Sequence, residues 1–392
     1  MKLENIQKAL QEEGIAGWLF CDFRGNNTIA YQVLGLNAKA FYTRRWFYFV
    51  PARGMPVALV SAVESHVLRT LPGEQRIFQT WRELHDELKN ILPAGQKVAM
   101  EYSPMNAIPY IAKVDAGTVE LIRSFGVEVV SSANISQRFV AELTEKQIES
   151  HRRAGAMLIA AKDRLFAALR ADLKAGLTLD EYSVQQRFAR FMHDAGIDVE
   201  EPPIVAVNSN ASNPHYLPTE STYSPIKPGD LVLFDFWGKV AEPDAIYADY
   251  TWMAFVGTAN EIPEKQLEVF DVVKRARDTA IAFVRTELAA GRRVEGWRVD
   301  DVSRGVIEKA GYGRYFVHRT GHNIGTFEHG NGANIDNFET RDERFLLPDT
   351  CCSIEPGVYL PEFGVRSEVD LLIHTDDVEV TGSPQTEIVP LM

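Results

Sequence analysis

Short apolar runs alternate with helically spaced apolar positions over the first 140 residues. Helical spacing extends from Leu3 to Glu13 and ends near Gly14. The run Ala16-Gly-Trp-Leu-Phe-Cys21 then predicts a buried strand. Three more strands are predicted at 45–50, 57–61 and 97–101, and the turn residues Pro51-Ala-Arg-Gly54 separate the first two of these. Strands that alternate with helices predict an α/β unit of three layers.

A second unit begins with a helix start signal. Thr144-Glu-Lys-Gln147 has the residue types of a capping box, and the helix that follows is predicted to end near Gly176. Another helix is predicted from Thr178 to about Gly196. The remaining pattern predicts strands at 203–207, 231–236 and 246–255, helices at 264–288 and 299–310, and strands and loops beyond. We place the boundary between Ser132 and Thr144, which gives domains of residues 1–140 and 141–392.

Composition narrows the choice of partners and compartment. The chain has 392 residues, 45% of them hydrophobic, and a net charge of -13, which argues against nucleic acid or an anionic membrane as a partner. No apolar run approaches the roughly 20 residues that span a membrane, and the first residues lack the apolar core of a secretory signal. The three cysteines include an adjacent pair, which is a poor disulfide framework. We therefore expect a cytoplasmic protein.

Five short segments of the second unit carry the most specific pattern. In chain order they are Leu-Phe-Asp235-Phe, Ala-Asp249-Tyr-Thr, Gly-His322-Asn-Ile-Gly, Ile-Glu355-Pro-Gly-Val-Tyr and Val-Arg366-Ser-Glu368. Their residue types and order resemble the prolidase, aminopeptidase P and methionine aminopeptidase superfamily of metallopeptidases, which has the pita-bread fold. The resemblance implies that the metal ligands are Asp235, Asp249, His322, Glu355 and Glu368.

This implied ligand set has a definite chemistry. Four carboxylates and one imidazole are rich in oxygen and suit Mn²⁺, Co²⁺ or Fe²⁺ at least as well as Zn²⁺. Two divalent ions would cancel the four negative charges, whereas one ion would leave a costly negative cavity. We expect two ions, with Mn²⁺ as the first choice and Co²⁺, Zn²⁺ or Fe²⁺ as alternatives. A hydroxide can bridge two such ions, which also hold the scissile carbonyl.

The resemblance also implies roles for residues that are not metal ligands. His215 lies in an Asn-rich loop ahead of Asp235, where the family has a histidine that contacts substrate. His329 follows His322 by seven residues, the offset of the family's proton-shuttling histidine. Glu355, by family analogy, takes the proton from the attacking water, and His329 or His215 helps to stabilise the oxyanion.

Two arginines are further candidates. Arg366 lies two residues before Glu368 and is expected to orient a ligand carboxylate. Its alternative partner is a substrate carboxylate. Arg319 lies in His318-Arg-Thr-Gly-His322, which is similar to the sequence before the metal histidine in many bacterial Xaa-Pro peptidases. Arg319 is either a substrate contact or a surface arginine.

The sequence departs from the family pattern in three places. Asp235 and Asp249 are 14 residues apart, where a shorter hairpin is usual, with Phe236-Trp-Gly238 replacing the usual opening and Glu242-Pro-Asp-Ala245 lengthening the turn. Trp252 replaces a frequent arginine, and Gly330-Asn-Gly332 replaces the Glu and Pro that commonly follow the second histidine. We expect these changes on the cleft wall, where they would affect substrate preference. Asp244 is a weak alternative ligand in the predicted turn.

The resemblance extends to the N-terminal part. Gly-Trp-Leu-Phe-Cys21 and Gly25-Asn-Asn-Thr-Ile-Ala-Tyr31 are similar to the opening of the creatinase-type domain of prolidases and aminopeptidases P. The implied architecture is a creatinase-like three-layer α/β domain followed by a pita-bread catalytic domain. The implied function is hydrolysis of Xaa-Pro dipeptides by a metal-bridging hydroxide. The alternatives are an aminopeptidase P acting on longer Xaa-Pro peptides, and a catalytically silent member that binds a partner.

Proteins of this two-domain form usually dimerise, with the N-terminal domain reaching towards the partner's active site. The aromatic and basic stretch Phe41-Tyr-Thr-Arg-Arg-Trp-Phe47 has residue types that are enriched at interfaces. We therefore expect a homodimer. The alternative is that this stretch is only the entrance to a strand, with Trp46 and Phe47 in the domain core.

Overall fold

The computed structural model describes residues 3–37 and 42–392. The chain divides into two compact units between Val140 and Ala141. Within the described residues, no helix combines the length and the apolar character that crossing a bilayer requires. The cysteines Cys21, Cys351 and Cys352 are buried free thiols.

Unit 1 is a mixed sheet covered by helices. Its strands are β1 (Gly17–Asp22), β2 (Trp46–Pro51), β3 (Val57–Ser61), β4 (Glu74–Phe78), β5 (Lys97–Met100) and β6 (Glu128–Ser131). Its helices are α1 (Leu3–Glu12), α2 (Thr28–Leu34), α3 (Trp81–Ile91), α4 (Ala116–Ser124) and α5 (Ala133–Val140). The strand order is β4-β3-β2-β1-β5-β6. The four predicted strands lie within one residue of β1, β2, β3 and β5.

Alternating side chains divide unit 1 into two cores. Trp18 and Phe20 of β1 pack in the core that contains residues of α1, α2 and α5. Leu19 of the same strand packs on the other face with residues of α3 and α4. Helices on both faces of the sheet confirm the predicted three-layer α/β arrangement.

The stretch proposed for assembly belongs partly to these cores. Trp46 and Phe47 are buried on opposite faces of the sheet, as the strand-entrance alternative requires. The backbone N–H groups of Thr43 and Arg44 donate to the Glu64 carboxylate at 2.9 and 3.0 Å. Phe41 lies outside the described residues. Of this stretch, the exposed residues are Arg44 and Arg45.

Unit 2 contains four long helices and several small sheets. Its helices are α6 (Glu145–Lys174), α7 (Glu181–Asp194), α8 (Glu264–Ala289) and α9 (Gly296–Lys309). Its strands are β7 (Leu179–Asp180), β8 (Ile197–Asp198), β9 (Ile204–Val207), β10 (Pro225–Ile226), β11 (Leu231–Val240), β12 (Ala248–Phe255), β13 (Asn323–Ile324), β14 (Thr350–Ile354), β15 (Gly357–Tyr359), β16 (Gly364–Arg366), β17 (Val369–Ile373), β18 (Val378–Thr381) and β19 (Val389–Pro390).

The long hairpin of β11 and β12 organises unit 2. It lies in a sheet of order β19-β12-β11-β8, with β9 also paired to β11, and a second sheet has the order β13-β14-β17-β18. One face of the hairpin packs on α6 and α7. The opposite face packs in a core that contains residues of α8 and α9.

Two local sequence signals had different outcomes in unit 2. The capping box at Thr144 forms as predicted, because the Thr144 side chain accepts from the Gln147 backbone and Gln147 bonds back to Thr144. The prediction for β11 was too short, since the strand continues four residues past Phe236. Trp237 and Gly238 therefore lie in the strand and pair with Asp249 and Ala248.

Candidate functional site

The hairpin places two aspartates on one face. Asp235 of β11 pairs with Thr251 of β12, and Trp237 pairs with Asp249. Because side chains alternate along a strand, Asp235, Trp237, Asp249 and Thr251 all project to the same side. Phe236 of β11 projects to the other side and packs against α7, where its ring lies 5.0 Å from Phe188. This apolar packing fixes the hairpin beneath the two carboxylates.

Strand ends of the second sheet supply the two glutamates. Glu355 follows β14 directly, and its N–H donates to the Thr320 carbonyl at 2.7 Å. Glu368 lies between β16 and β17, and its carboxylate accepts from Thr251 Oγ1 at 2.7 Å. The backbone N–H of Glu368 also points at the Thr251 carbonyl, at 3.4 Å. The edge of the second sheet thus meets the acidic face of the hairpin.

His322 completes the group from the residue before β13. Its Nε2 lies 3.7 Å from Asp249 Oδ2 and 3.6 Å from Glu355 Oε1. Its Nδ1 lies 3.3 Å from the Asn323 carbonyl, which only accepts hydrogen bonds. Nδ1 therefore carries the proton, and the lone pair of Nε2 points at the carboxylates.

These residues fit a metal ion. One ligand atom from each of Asp249, His322 and Glu368 lies within 4.8 Å of the others, and all three residues are buried. Among the residues that the structure describes, no donor reaches the buried Asp249 Oδ1. A buried carboxylate oxygen without a partner is costly, and a cation at this position would satisfy it. The other two predicted ligands, Asp235 and Glu355, lie next to these three residues.

Burial makes the metal-free site electrostatically unfavourable. It raises the pKa of Asp249 well above the usual value, and the negative charges of Glu368, Asp235 and Glu328 raise it further. Burial likewise raises the pKa of Glu355 to about 7, although the positive charges of Arg366 and Arg319 act in the opposite direction. Three buried carboxylates and the partly buried Glu355, this close together, cannot all ionise without positive charge.

Arg366 supplies part of that positive charge. It is buried, its Nη2 donates to Asp235 Oδ2, and its Nε donates to Thr251 Oγ1 at 2.8 Å. Thr251 in turn donates to Glu368, so one arginine holds residues on both sides of the site. Within the protein, Arg366 therefore contacts one of the predicted ligands directly and another through Thr251.

A tyrosine and a histidine that the sequence did not single out extend this network. Arg366 Nη1 lies 3.5 Å from Tyr359 Oη, which lies 2.6 Å from His318 Nε2. His318 Nδ1 donates to the Arg319 carbonyl at 2.6 Å. Burial and the charge of Arg366 lower the pKa of His318 to about 3. The imidazole is therefore neutral, and its Nε2 accepts a hydrogen bond from the Tyr359 hydroxyl. Tyr359 ends the Glu355 segment quoted from the sequence, but nothing there gave it a role, and the pairing of β15 with β16 brings it to Arg366.

The three remaining candidates from the sequence lie at the rim of this acidic site: His215, Arg319 and His329. The ring of His329 meets that of His322 edge-on, with 4.3 Å between centroids, and His329 Nε2 lies 3.4 Å from Glu328 Oε1. Partial desolvation and the positive charges of Arg319 and His215 lower the pKa of His329 to about 4. His215 is exposed, and its charge acts on Asp235 and His329. Arg319 is partly buried, and its charge acts on Glu355 and His329.

Buried polar residues behind the hairpin were also missed. Asp370 Oδ2 accepts the backbone N–H of Asp249 at 2.9 Å. His151, which the sequence gave no role, lies 3.8 Å from Asp370 through Nε2. The same nitrogen is 2.7 Å from Thr381 Oγ1, and Nδ1 is 2.6 Å from the Tyr247 carbonyl. No spacing rule links these residues, which lie far apart in sequence.

The expectation that all three departures line the cleft was wrong for Trp252. Trp252 lies on the hairpin face opposite Asp249 and Thr251, where Lys162 of α6 approaches its ring centroid to 3.3 Å. It packs against the core below the hairpin. Asp244 lies in the turn with a φ of 59° and is exposed, so it is not among the residues that converge.

Comparisons with known proteins identify the family of this chain. A model of Metallopeptidase family M24 matches residues 149–375, which include all five implied ligands. An Xaa-Pro dipeptidase of Lactobacillus delbrueckii subsp. lactis is 28% identical over 334 residues, which cover 84% of this chain and 81% of that relative.

Solved structures share the fold. Dipeptidase PepE from Mycobacterium ulcerans has a TM-score of 0.66 at 21% identity, over 99% of this chain and 96% of that one. Recombinant prolidase from Thermococcus sibiricus has a TM-score of 0.61 at 22% identity, over 99% of this chain and 98% of that one. These similarities confirm the predicted pita-bread fold. Because the family model covers more than half of the chain, the protein belongs to metallopeptidase family M24.

Proposed function

We propose that this protein hydrolyses the peptide bond of Xaa-Pro dipeptides with divalent metal ions. The observation that carries the proposal is the convergence of buried Asp249, His322 and Glu368 in a chain of a metallopeptidase family. Within residues 3–37 and 42–392, Asp249 Oδ1 has no hydrogen-bond donor. The substrate class comes from the relative named Xaa-Pro dipeptidase and from the structural neighbour named prolidase.

Five residues would hold the ions: Asp235, Asp249, His322, Glu355 and Glu368. Four carboxylates favour two divalent ions, and the oxygen-rich set favours Mn²⁺ over Zn²⁺. When bound, such ions lower the pKa of a water molecule and polarise the scissile carbonyl. Arg366 would keep Asp235 in place through its direct hydrogen bond, and Thr251 would do the same for Glu368.

Protein side chains would carry out the proton transfer and hydrogen bonding that hydrolysis requires. Glu355 would accept a proton from the attacking water, since its carboxylate lies at the site and its side chain keeps some exposure, 13%. His329 would donate a hydrogen bond to the carbonyl oxygen, because its lowered pKa leaves it neutral, with one N–H, near pH 7. His215 lies on the same rim and would contact the substrate.

Charge at the rim would orient the dipeptide. The positive charge of Arg319 acts on Glu355 and His329, so it lies close enough to the site to attract the proline carboxylate of the substrate.

A small substrate panel tests this function. The protein is depleted of metal, reloaded with Mn²⁺, Co²⁺ or Zn²⁺, and assayed on Leu-Pro, Leu-Ala and Leu-Pro-Ala-Ala. We expect metal-dependent hydrolysis of Leu-Pro and little of the other two. Faster cleavage of the tetrapeptide would indicate an aminopeptidase P instead. Full metal loading without any hydrolysis would indicate a silent binding protein.

Assembly and location are part of the proposal. We infer a homodimer in the cytoplasm, with the exposed Arg44 and Arg45 near the partner's site. Light scattering should give about twice the chain mass of 44.0 kDa. Arg44→Ala and Arg45→Ala should raise KM for dipeptides, whereas Arg53→Ala, in the turn after β2, should not. A fully active monomer would contradict the assembly.

A further inference from the structure

Trp237 places an indole ring beside the metal ligands. It lies two residues after Asp235 on β11 and therefore on the same face. Its partner across the hairpin is Asp249, and directly paired residues have Cβ atoms about 4.5–5.5 Å apart. A large apolar side chain is thus the immediate neighbour of an acidic ligand.

The packing of Trp237 makes it a fixed wall. The side chain is partly buried and packs against two hydrophobic clusters. One cluster contains Ile246, Tyr247 and Ile324, and the other contains Val358 and Val365. A ring held by two clusters keeps one orientation.

The place of the reaction indicates which part of a substrate would meet this wall. Trp237 pairs with Asp249, a proposed ligand of the metal that would polarise the scissile carbonyl. In an Xaa-Pro dipeptide this carbonyl belongs to the first residue. The side chain of the first residue is attached one carbon away from it, within reach of the indole ring.

We propose that Trp237 is a specificity-determining residue that contacts the side chain of the first residue and favours apolar first residues, such as leucine or phenylalanine, over glycine. This rests on the proposed function and names the substrate class within it. Apolar contact with an aromatic ring removes surface from water on both sides. One or two methylene-sized contacts change kcat/KM by about tenfold or more.

The test measures the ratio of kcat/KM for Leu-Pro to that for Gly-Pro in the metal-loaded protein. Trp237→Gly should lower this ratio about tenfold. Trp237→Phe keeps an apolar ring and should lower it less than threefold. Trp252→Phe is the matched control, because Trp252 lies on the same hairpin but on the opposite face, and it should leave the ratio unchanged.

Each outcome decides between the alternatives. An unchanged ratio in Trp237→Gly contradicts the role of Trp237 in specificity. It leaves the proposed function intact, since both substrates are still cleaved. Wild-type protein that cleaves neither dipeptide overturns both proposals. If Trp237→Gly does not fold, Trp237→Gln replaces it. The glutamine variant must then lower the ratio more than the phenylalanine variant does, and equal ratios overturn the proposal.

Discussion

At the residue scale, hydrogen-bond partners within the protein hold three of the proposed ligands. The Asp249 backbone is held by Asp370, and Glu368 by the Thr251 hydroxyl. The Nδ1 of His322 is directed at the Asn323 carbonyl. Partners of this kind orient metal ligands before the metal arrives, and their loss typically costs 10- to 100-fold in metal affinity or activity.

Glu368→Gln tests the ligand assignment. The substitution keeps the shape of the side chain but removes one of about four negative charges. We expect metal content per chain to fall and turnover to drop at least a thousandfold, with an unchanged circular dichroism spectrum. Glu362→Gln, an exposed glutamate, is the control. Full metal content and normal turnover in Glu368→Gln would remove this residue from the site.

His329→Ala separates catalysis from metal binding. If His329 donates a hydrogen bond or a proton in the transition state, its loss should cost about 10²–10⁴ in kcat. Metal content, measured by atomic emission, should stay at the wild-type level because His329 is not a ligand. His193→Ala, on the exposed surface of α7, controls for histidine loss. Loss of metal from His329→Ala would mean that the two histidine roles are reversed.

The residues predicted from sequence and those missed differ in how local their signal is. Asp249 and His322 lie in short segments whose neighbours serve the same site, so a few residues of context identify them. Asp370 lies 121 positions from Asp249 and touches it only because two sheets meet. Tyr359 lies only seven residues before Arg366 and meets it across the hairpin of β15 and β16. The long-range contact of Asp370 leaves no periodic pattern in a single sequence.

At the scale of elements, the turn before β13 sets the position of His322. Gly321 precedes the histidine, and a Cβ at Gly321 would lie 2.0 Å from the Ser353 backbone carbonyl of β14. The His322 N–H donates to Ser353 Oγ at 3.0 Å, and the Ser353 N–H donates to the His322 carbonyl at 2.9 Å. Only a residue without a side chain allows these two backbones to pair so closely.

Gly321→Ala should therefore push His322 out of position. We expect a loss of about 2 kcal/mol or more in the free energy of unfolding, as overpacking predicts, and weaker metal binding. Gly305→Ala is the control, because a Cβ there meets nothing within 4 Å and alanine is the better helix former by about 1 kcal/mol. Urea titration and metal titration of both variants provide the measurement. Equal stability of the two variants would contradict the steric argument.

Strand boundaries show where element prediction failed. The apolar run that ended at Phe236 hid the continuation of β11, because Trp237-Gly238-Lys239 resembles a turn in composition.

Trp252 was assigned to the cleft by its place in a motif. Alternation along β12 puts it on the other face from Asp249. Counting along β12 in steps of two from Asp249 would have placed Trp252 on the correct face.

At the scale of the whole molecule, folding concentrates negative charge that Arg366 balances in part and that bound cations would balance further. Asp235, Asp249, Glu355 and Glu368 come from two sheets and are brought together by the same packing that stabilises unit 2. The fold class and four of the six described strands of unit 1 could be predicted, since helix and strand periods are local. The burial that raises the pKa of these carboxylates could not, because it depends on the complete fold. Metal binding and stability are therefore linked.

A pH titration of stability tests this link. In metal-free protein, burial raises the pKa of Glu355 to about 7 from its ordinary 4.5. Below about pH 4.5 the carboxyl is protonated in both the folded and the unfolded chain. Between there and pH 7 only the unfolded chain releases the proton, so unfolding becomes easier as pH rises. Glutamine does not titrate, and Glu355→Gln escapes this loss.

With a chelator present, the free energy of unfolding of Glu355→Gln minus that of the wild type should therefore grow as pH rises from 4.5 to 7. At about 1.4 kcal/mol per unit of pKa shift, the change should reach about 3 kcal/mol. With Mn²⁺ in excess the order should reverse, because the wild type keeps a ligand that glutamine lacks. Urea titrations at four pH values measure both series, with Glu362→Gln as the exposed control. A flat difference across this range in chelator would show that Glu355 is ionised without a metal, and that the site carries its negative charge by other means.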